Sequence, residues 1–164
     1  MQLNLTWKKG FFSNTYTLFK NGEMNGYLRE KTFSQTAVAE LNGKSYLFRT
    51  KGFFKQRTEI IDFSTNQLIG EISYNNWKNK ATISNMNKTV YWSYNNIWNT
   101  KWSLSDPDGT EIKFAGSSTK GYIESNTDDA LLILSGLYVT NYYWQMSVAV
   151  MVAVFVPIWI SVLN

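Results

Sequence analysis

After Asp129 the chain carries no Asp, Glu, Lys or Arg as far as Asn164, and this stretch is dominated by Leu, Ile, Val, Ala, Tyr, Trp and Phe. A segment of that character must be buried in protein, in a membrane, or in both. As a single helix, residues 130–163 would measure about 51 Å at roughly 1.5 Å per residue, well beyond the ~30 Å hydrocarbon core of a bilayer. The segment is therefore expected to divide. Residues 129–139 suit a short helix with Leu131, Leu132, Leu134, Leu137 and Tyr138 on all its sides, as expected when protein surrounds it. Residues 140–145, with Asn141, Tyr142, Tyr143 and Trp144, read as a more polar aromatic joint. Residues 146–163 form a second apolar run, marginally long enough to span, with the joint as an interfacial belt and Pro157 as a kink. Asn126, Thr127, Asp128 and Asp129 supply capping side chains at the positive end of the first helix.

The rest of the chain reads as strands. Short alternating runs are separated by turn residues from Leu3 to Ser125, and Asn21-Gly22 and Asn42-Gly43 each sit between two such runs. Asn-Gly tolerates the positive φ that a two-residue hairpin turn needs, so both pairs predict tight hairpins. Asp106-Pro107-Asp108-Gly109 predicts another. Lys9-Gly10-Phe11-Phe12 recurs as Lys51-Gly52-Phe53-Phe54, and four strand-like runs follow each copy. A weaker third copy begins near Ile97-Trp98. Nearly three four-strand units give about twelve antiparallel strands. A flat sheet of that size would expose its edges, so closure into a barrel is expected. A barrel this wide cannot be filled by its own side chains, and the helix near 129–145 is the available filling. The expected architecture is an all-β, roughly twelve-stranded closed barrel, residues 1–145, around a hydrophobic C-terminal helix, with 146–164 as an apolar tail and candidate membrane anchor.

Composition narrows the chemistry. There is no His and no Cys, which excludes Ser-His-Asp triads, Cys-His pairs, disulfides and thiolate or His-containing metal sites. The net charge of +4 favours anionic surfaces without pointing to nucleic acid. Glu59, Asp62, Glu71 and Glu111 are scattered, and no spacing makes them a catalytic pair. Asp106–Gly109 begins like a calcium loop but lacks a closing Glu, and Asp128, Asp129 and Glu124 are too few oxygens for calcium. No enzyme activity, metal or cofactor is expected. Trp77, Tyr91, Trp92, Trp98 and Trp102 alternate with polar residues and are expected to pack in the core or barrel wall. The basic clusters are Lys8-Lys9, Lys51 with Lys55 and Arg57, and Lys78 with Lys80. Lys9 and Lys51 hold equivalent repeat positions, so Lys9, Lys51, Lys55 and Arg57 are the candidate contacts to anionic lipid headgroups.

In this pattern, and most locally in Asp128-Asp129-Ala130-Leu131-Leu132-Ile133-Leu134, the chain resembles the Tubby C-terminal-like superfamily. That superfamily includes the Tubby proteins, the phospholipid scramblases and the LURP-one-related proteins. The resemblance implies a twelve-stranded barrel threaded by a hydrophobic helix, and a non-enzymatic lipid- or ligand-binding or scaffold role. Residues 146–163 depart from the pattern, since those relatives usually stop soon after the central helix. With no basic, apolar leader at the N-terminus, the expected location is cytoplasmic, membrane-associated through the tail and in contact with anionic lipid. Two alternatives remain open at this point: a soluble domain whose whole C-terminus packs internally, and a scramblase-like lipid-moving protein.

Overall fold

The computed structural model describes residues 1–32, 34–53 and 55–163. Twelve strands are followed by one helix: β1 (Leu3–Lys9), β2 (Thr15–Lys20), β3 (Glu23–Glu30), β4 (Thr36–Leu41), β5 (Lys44–Lys51), β6 (Arg57–Asp62), β7 (Leu68–Tyr74), β8 (Lys80–Asn85), β9 (Lys88–Tyr94), β10 (Lys101–Ser105), β11 (Glu111–Gly116), β12 (Lys120–Ser125) and α1 (Ala130–Leu163). Each strand pairs antiparallel with its sequence neighbours, and β12 pairs with β1 from Leu3↔Ser125 to Lys8↔Lys120, closing the barrel. Closure leaves no edge strand to template aggregation.

Local chemistry explains the up-and-down order. Asn21 and Gly22 have φ of 53° and 84°, and Asn42 and Gly43 have 53° and 75°, the backbone that a two-residue hairpin requires. Strand alternation then sorts the side chains. In β4, Ala37, Ala39 and Leu41 are buried while the residues between them face outward. Ile60, Ile72, Ile83, Val90, Leu104 and Ile112 line the interior in the same way.

The repeat is visible in three dimensions. The β2–β3 ladder shifts register between Leu18 and Phe19, beside Leu18↔Gly26; the β6–β7 ladder shifts between Ile60 and Ile61, beside Ile60↔Gly70. At both glycines the neighbouring strand lies too close for a side chain: a Cβ would sit 2.2 Å from the Glu40 carbonyl oxygen at Gly26 and 2.9 Å from that of Ser84 at Gly70. Strands β2–β5 and β6–β9 are therefore equivalent units, and β10–β12 form a third that β1 completes across the closure.

The helix fills the barrel. Asp129 caps it, its Oδ1 accepting the Leu132 N–H at 3.2 Å. Every residue from Ala130 to Val139 is buried, which explains why the sequence there has no polar face. Tyr138 stacks on Phe48 at 4.7 Å, and Gly136 lets the helix approach Phe114 while its carbonyl accepts the Trp92 indole N–H at 3.1 Å. Tyr138 also joins a buried hydroxyl chain to Thr50, Thr58 and Tyr74, with links of 2.7, 2.6 and 2.6 Å.

The expected joint at 140–145 is not a break. α1 runs without interruption through 34 residues, and Pro157 lies inside it without ending it. The physical reason is at the barrel mouth, where Asn141, Tyr142, Tyr143 and Gln145 all find partners on the strand ends and the connection between β5 and β6. Their polarity is satisfied there, so the helical backbone need not open to hydrate it.

Candidate membrane-facing end of the barrel

In an up-and-down barrel, successive connections alternate between the two ends. Those at 10–14, 31–35, 52–56, 75–79, 95–100 and 117–119 share the end from which α1 emerges. A collar of side chains ties the helix to this mouth. The Asn141 amide donates to Glu30 at 2.5 Å, while Asn141 Oδ1 accepts from the Tyr16 hydroxyl at 3.2 Å. Gln145 donates to the same Glu30 carboxylate, Tyr142 to Gln56, and Tyr143 to the Lys80 carbonyl. Burial raises the Glu30 pKa, opposed by Gln145, Lys9 and Asn141.

Beyond the collar, the residues of α1 from Val148 to Ile160 are exposed and carry no charge. The barrel surface around them is rich in exposed aromatic side chains. Phe11, Phe12, Phe53, Trp77, Ile97 and Trp98 are exposed on these connections, Phe12 to 97% and Trp77 to 86%. The six connections contain Lys31, Lys55 and Lys78 and no Asp or Glu. The opposite end reverses the charge. Its connections at 21–22, 42–43, 63–67, 86–87, 106–110 and 126–129 hold Asp106, Asp108, Asp128 and Asp129 and no Lys or Arg. The barrel is thus polarised, basic and aromatic where the apolar helix leaves, acidic where the helix begins.

The four basic residues singled out from the sequence fall at this basic end but play different parts. Lys9 and Lys51 both close strands there, as the repeat implies, yet on opposite faces of the wall. Lys9 points inward, 5.0 Å from the Tyr16 ring centre and 4.8 Å from that of Trp144. Lys51 points outward and pairs with Glu59 at 2.9 Å, a carboxylate that Arg49 also holds at 2.7 Å. Arg57 lies 3.7 Å from Glu71. Lys55 is exposed on the connection. Lys51 and Arg57 are therefore partly neutralised by wall carboxylates. Lys9 bonds the Asn141 amide oxygen at 3.4 Å and faces Glu30, while burial lowers its pKa; Lys55 forms no ion pair among the described residues.

The expectation of wall packing holds for Trp92 and Trp102, which are buried. It fails for Trp77 and Trp98, which sit on connections and are exposed, and for Tyr91, which is 54% exposed on the outer wall. Alternation alone does not separate a strand residue from one on a short connection. Nothing local marks Glu30 and Gln145 as partners, or ties Asn141 to the barrel mouth, because the groups that they meet lie more than 100 residues away in the chain.

A cleft of about 350 Å³ opens at this end, between α1 and the strand ends of β1 and β9 to β11. Trp7, Lys9, Trp102, Thr140 and Ser147 are among its walls. Among the described residues no cluster of carboxylates is placed to hold a metal ion. Against known proteins, no family model matches this chain, and no curated protein or solved structure matches it either.

Proposed function

We propose that this protein is a non-enzymatic, membrane-associated barrel of the Tubby-like kind, which holds a lipid- or ligand-binding module against the cytoplasmic face of an anionic bilayer. The observation that carries this reading is the continuity of α1. One half plugs the barrel, and the other leaves it as an exposed, uncharged helix whose mean hydropathy over its span-like stretch is 1.8. Residues 146–163 amount to about 27 Å of helix at roughly 1.5 Å per residue, close to a bilayer's hydrocarbon thickness. The collar makes plug and tail one rigid rod, so an inserted tail would hold the barrel upright with its basic, aromatic end on the headgroups.

Three further features support the reading. Exposed Trp and Phe around the exit suit the interfacial zone. Each lysine near an anionic surface contributes on the order of 1 kcal/mol. Lysines beside the end of a span favour the cytoplasmic side. The twelve strands and threaded helix agree with the Tubby-like resemblance.

The test is flotation of the full chain with phosphatidylcholine liposomes containing phosphatidylserine. The full chain is expected to float at high salt, and Val152→Lys with Val156→Lys is expected to remain at the bottom with its barrel intact by circular dichroism. Each lysine at a helix centre costs about 2.5–3.5 kcal/mol of insertion. A full chain that stays monomeric and unfloated in lipid would end the proposal.

A further inference from the structure

We infer that seating of the exit end on a bilayer is coupled to the uptake of one proton by Glu30, so that the barrel docks more firmly as pH falls. This rests on the reading that the exit end faces a membrane, and it adds a regulatory group to that surface.

The argument starts from how Glu30 is held. It is the last residue of β3, and the six connections at this end hold no Asp or Glu. Its two oxygens each accept one side-chain amide of α1, Oε1 from Asn141 at 2.5 Å and Oε2 from Gln145. An ionised carboxylate offers about four acceptor sites, so two are left for solvent. A groove of about 660 Å³ opens beside it, which Glu30 and Gln145 line together with Phe12, Asn14, Lys31 and Gln35. Among the described residues no cation forms an ion pair with Glu30, whereas Glu59 and Glu71 on the outer wall have Arg49, Lys51 and Arg57. The titratable groups that face Glu30 are few. β1 presents Lys9, whose ammonium bonds Asn141 Oδ1 at 3.4 Å; β2 presents Tyr16, with Tyr94 of β9 beyond it; and α1 presents Tyr138. β4 opposes Glu30 with Ala37, and the exposed Lys31 follows it in the chain.

The groove lies on the surface that meets the headgroups, beside the 97% exposed Phe12. Pressing that surface onto a bilayer covers the groove and displaces its solvent. An ionised Glu30 is then left with two neutral amides and a lysine that already serves Asn141, and desolvation of this kind favours the neutral carboxyl. Burial outweighs the same partners before any membrane arrives, raising the pKa against Gln145, Lys9 and Asn141. Protonation turns one oxygen into a donor, which needs an acceptor. Asn141 is 2% exposed and its Oδ1 holds Tyr16 and Lys9, so its amide is fixed. Gln145 is exposed, and a turn of its amide brings its oxygen to Glu30 Oε2. The collar thus takes the proton without losing Asn141. Linkage sets the sign. The seated pKa lies above the unseated one, so seating is strongest below the unseated value and weakens as pH rises through the seated value. One proton gives a slope of at most about tenfold per pH unit.

The experiment places the full chain in phosphatidylcholine nanodiscs, with an environment-sensitive nitrobenzoxadiazole dye on Ser118→Cys. The chain has no Cys of its own, and Ser118 is exposed on an exit-end connection. Neutral lipid is used because an anionic surface attracts protons by itself. From about pH 8 to 4 the ratio of lipid-facing to water-facing dye is expected to rise about tenfold or more, with the slope of one proton. In Glu30→Gln it is expected to stay at the low-pH level throughout. Glu71→Gln, on the outer wall, should keep the parent's response. In the same discs the ¹³C carboxyl resonance of Glu30, assigned by its loss in Glu30→Asp, should titrate with the midpoint of the dye. If Glu30→Gln does not fold, agreement or disagreement of those two midpoints in the parent chain decides alone. A pH response that survives in Glu30→Gln, or midpoints that disagree, overturns the coupling. A dye that meets lipid equally at every pH also overturns it and leaves the membrane reading intact. A dye that stays in water at every pH in both chains overturns the membrane reading, and the coupling falls with it.

Discussion

Gly136 offers a test of the threaded helix in which the sign of the effect decides. A Cβ at this position would lie 2.3 Å from Cζ of Phe114 and 2.7 Å from Cε2, where ordinary contact begins near 3.4 Å. In Gly136→Ala, ring and helix must therefore separate by about an ångström. Phe114 is 2% exposed and stacked on Trp102, so it has little room to yield. Overpacking of a tight core costs about 1–3 kcal/mol. Against this, alanine in place of glycine inside a helix contributes about 1 kcal/mol of stability. The net expectation is a destabilisation of about 1 kcal/mol, or a fall in Tm of about 2–4 °C for a chain of this size. Thermal unfolding in one fixed detergent, followed by tryptophan fluorescence, measures it. In a Phe114→Leu background the same substitution should lose most of its cost, because the ring edge that it strikes is gone. If Gly136→Ala raises Tm in the parent chain, the helix behaves as though exposed, and the threaded core described above is wrong.

Two other outcomes follow from the buried polar groups. Thr58→Val breaks the hydroxyl chain in its middle, separating Thr50 and Tyr138 from Tyr74, and should cost on the order of 2 kcal/mol in the same assay, whereas Thr65→Val on an exposed turn should be neutral within error. Asp106 is held well below the usual carboxylate range by the Lys88 ammonium 2.7 Å away and by the Thr110 N–H at 3.0 Å. Its folded pKa is depressed, so its contribution is fully present above the unfolded value of about 3.9 and is lost as pH falls below that. The Tm gap between the parent chain and Asp106→Asn should stay constant from pH 7 to about 4 and close below it; a gap that closes between pH 6 and 5 would mean that another group is titrating.

Much of the barrel could be read from residue order because its determinants are local. Asn21-Gly22 and Asn42-Gly43 specify hairpins through backbone sterics alone, and strand alternation specifies which side chains face inward. The recurrence of Lys-Gly-Phe-Phe marks the unit, and closure follows from the number of strands. The uncharged run after Asp129 likewise announces a helix that needs surroundings other than water.

What needed the tertiary structure is every property that depends on which end of the barrel a residue reaches. Residues 140–145 look like a break because their polarity is visible and their partners are not; Glu30 and Lys80 on distant strands and Gln56 on a connection supply those partners, and α1 stays whole. Lys9 and Lys51 share a repeat position, but the pleat turns one toward the helix and the other toward Glu59. Trp77 and Trp98 carry no local sign that they gather around the exit rather than in the wall. The sequence by itself determined a closed barrel and an apolar rod to fill it, because sterics and hydrophobic pattern act between near neighbours. The fold alone decided that the rod is continuous, that its exit end is basic and aromatic, and that Glu30 meets Asn141 and Gln145 there, because these follow from contacts between residues that only closure of the barrel brings together.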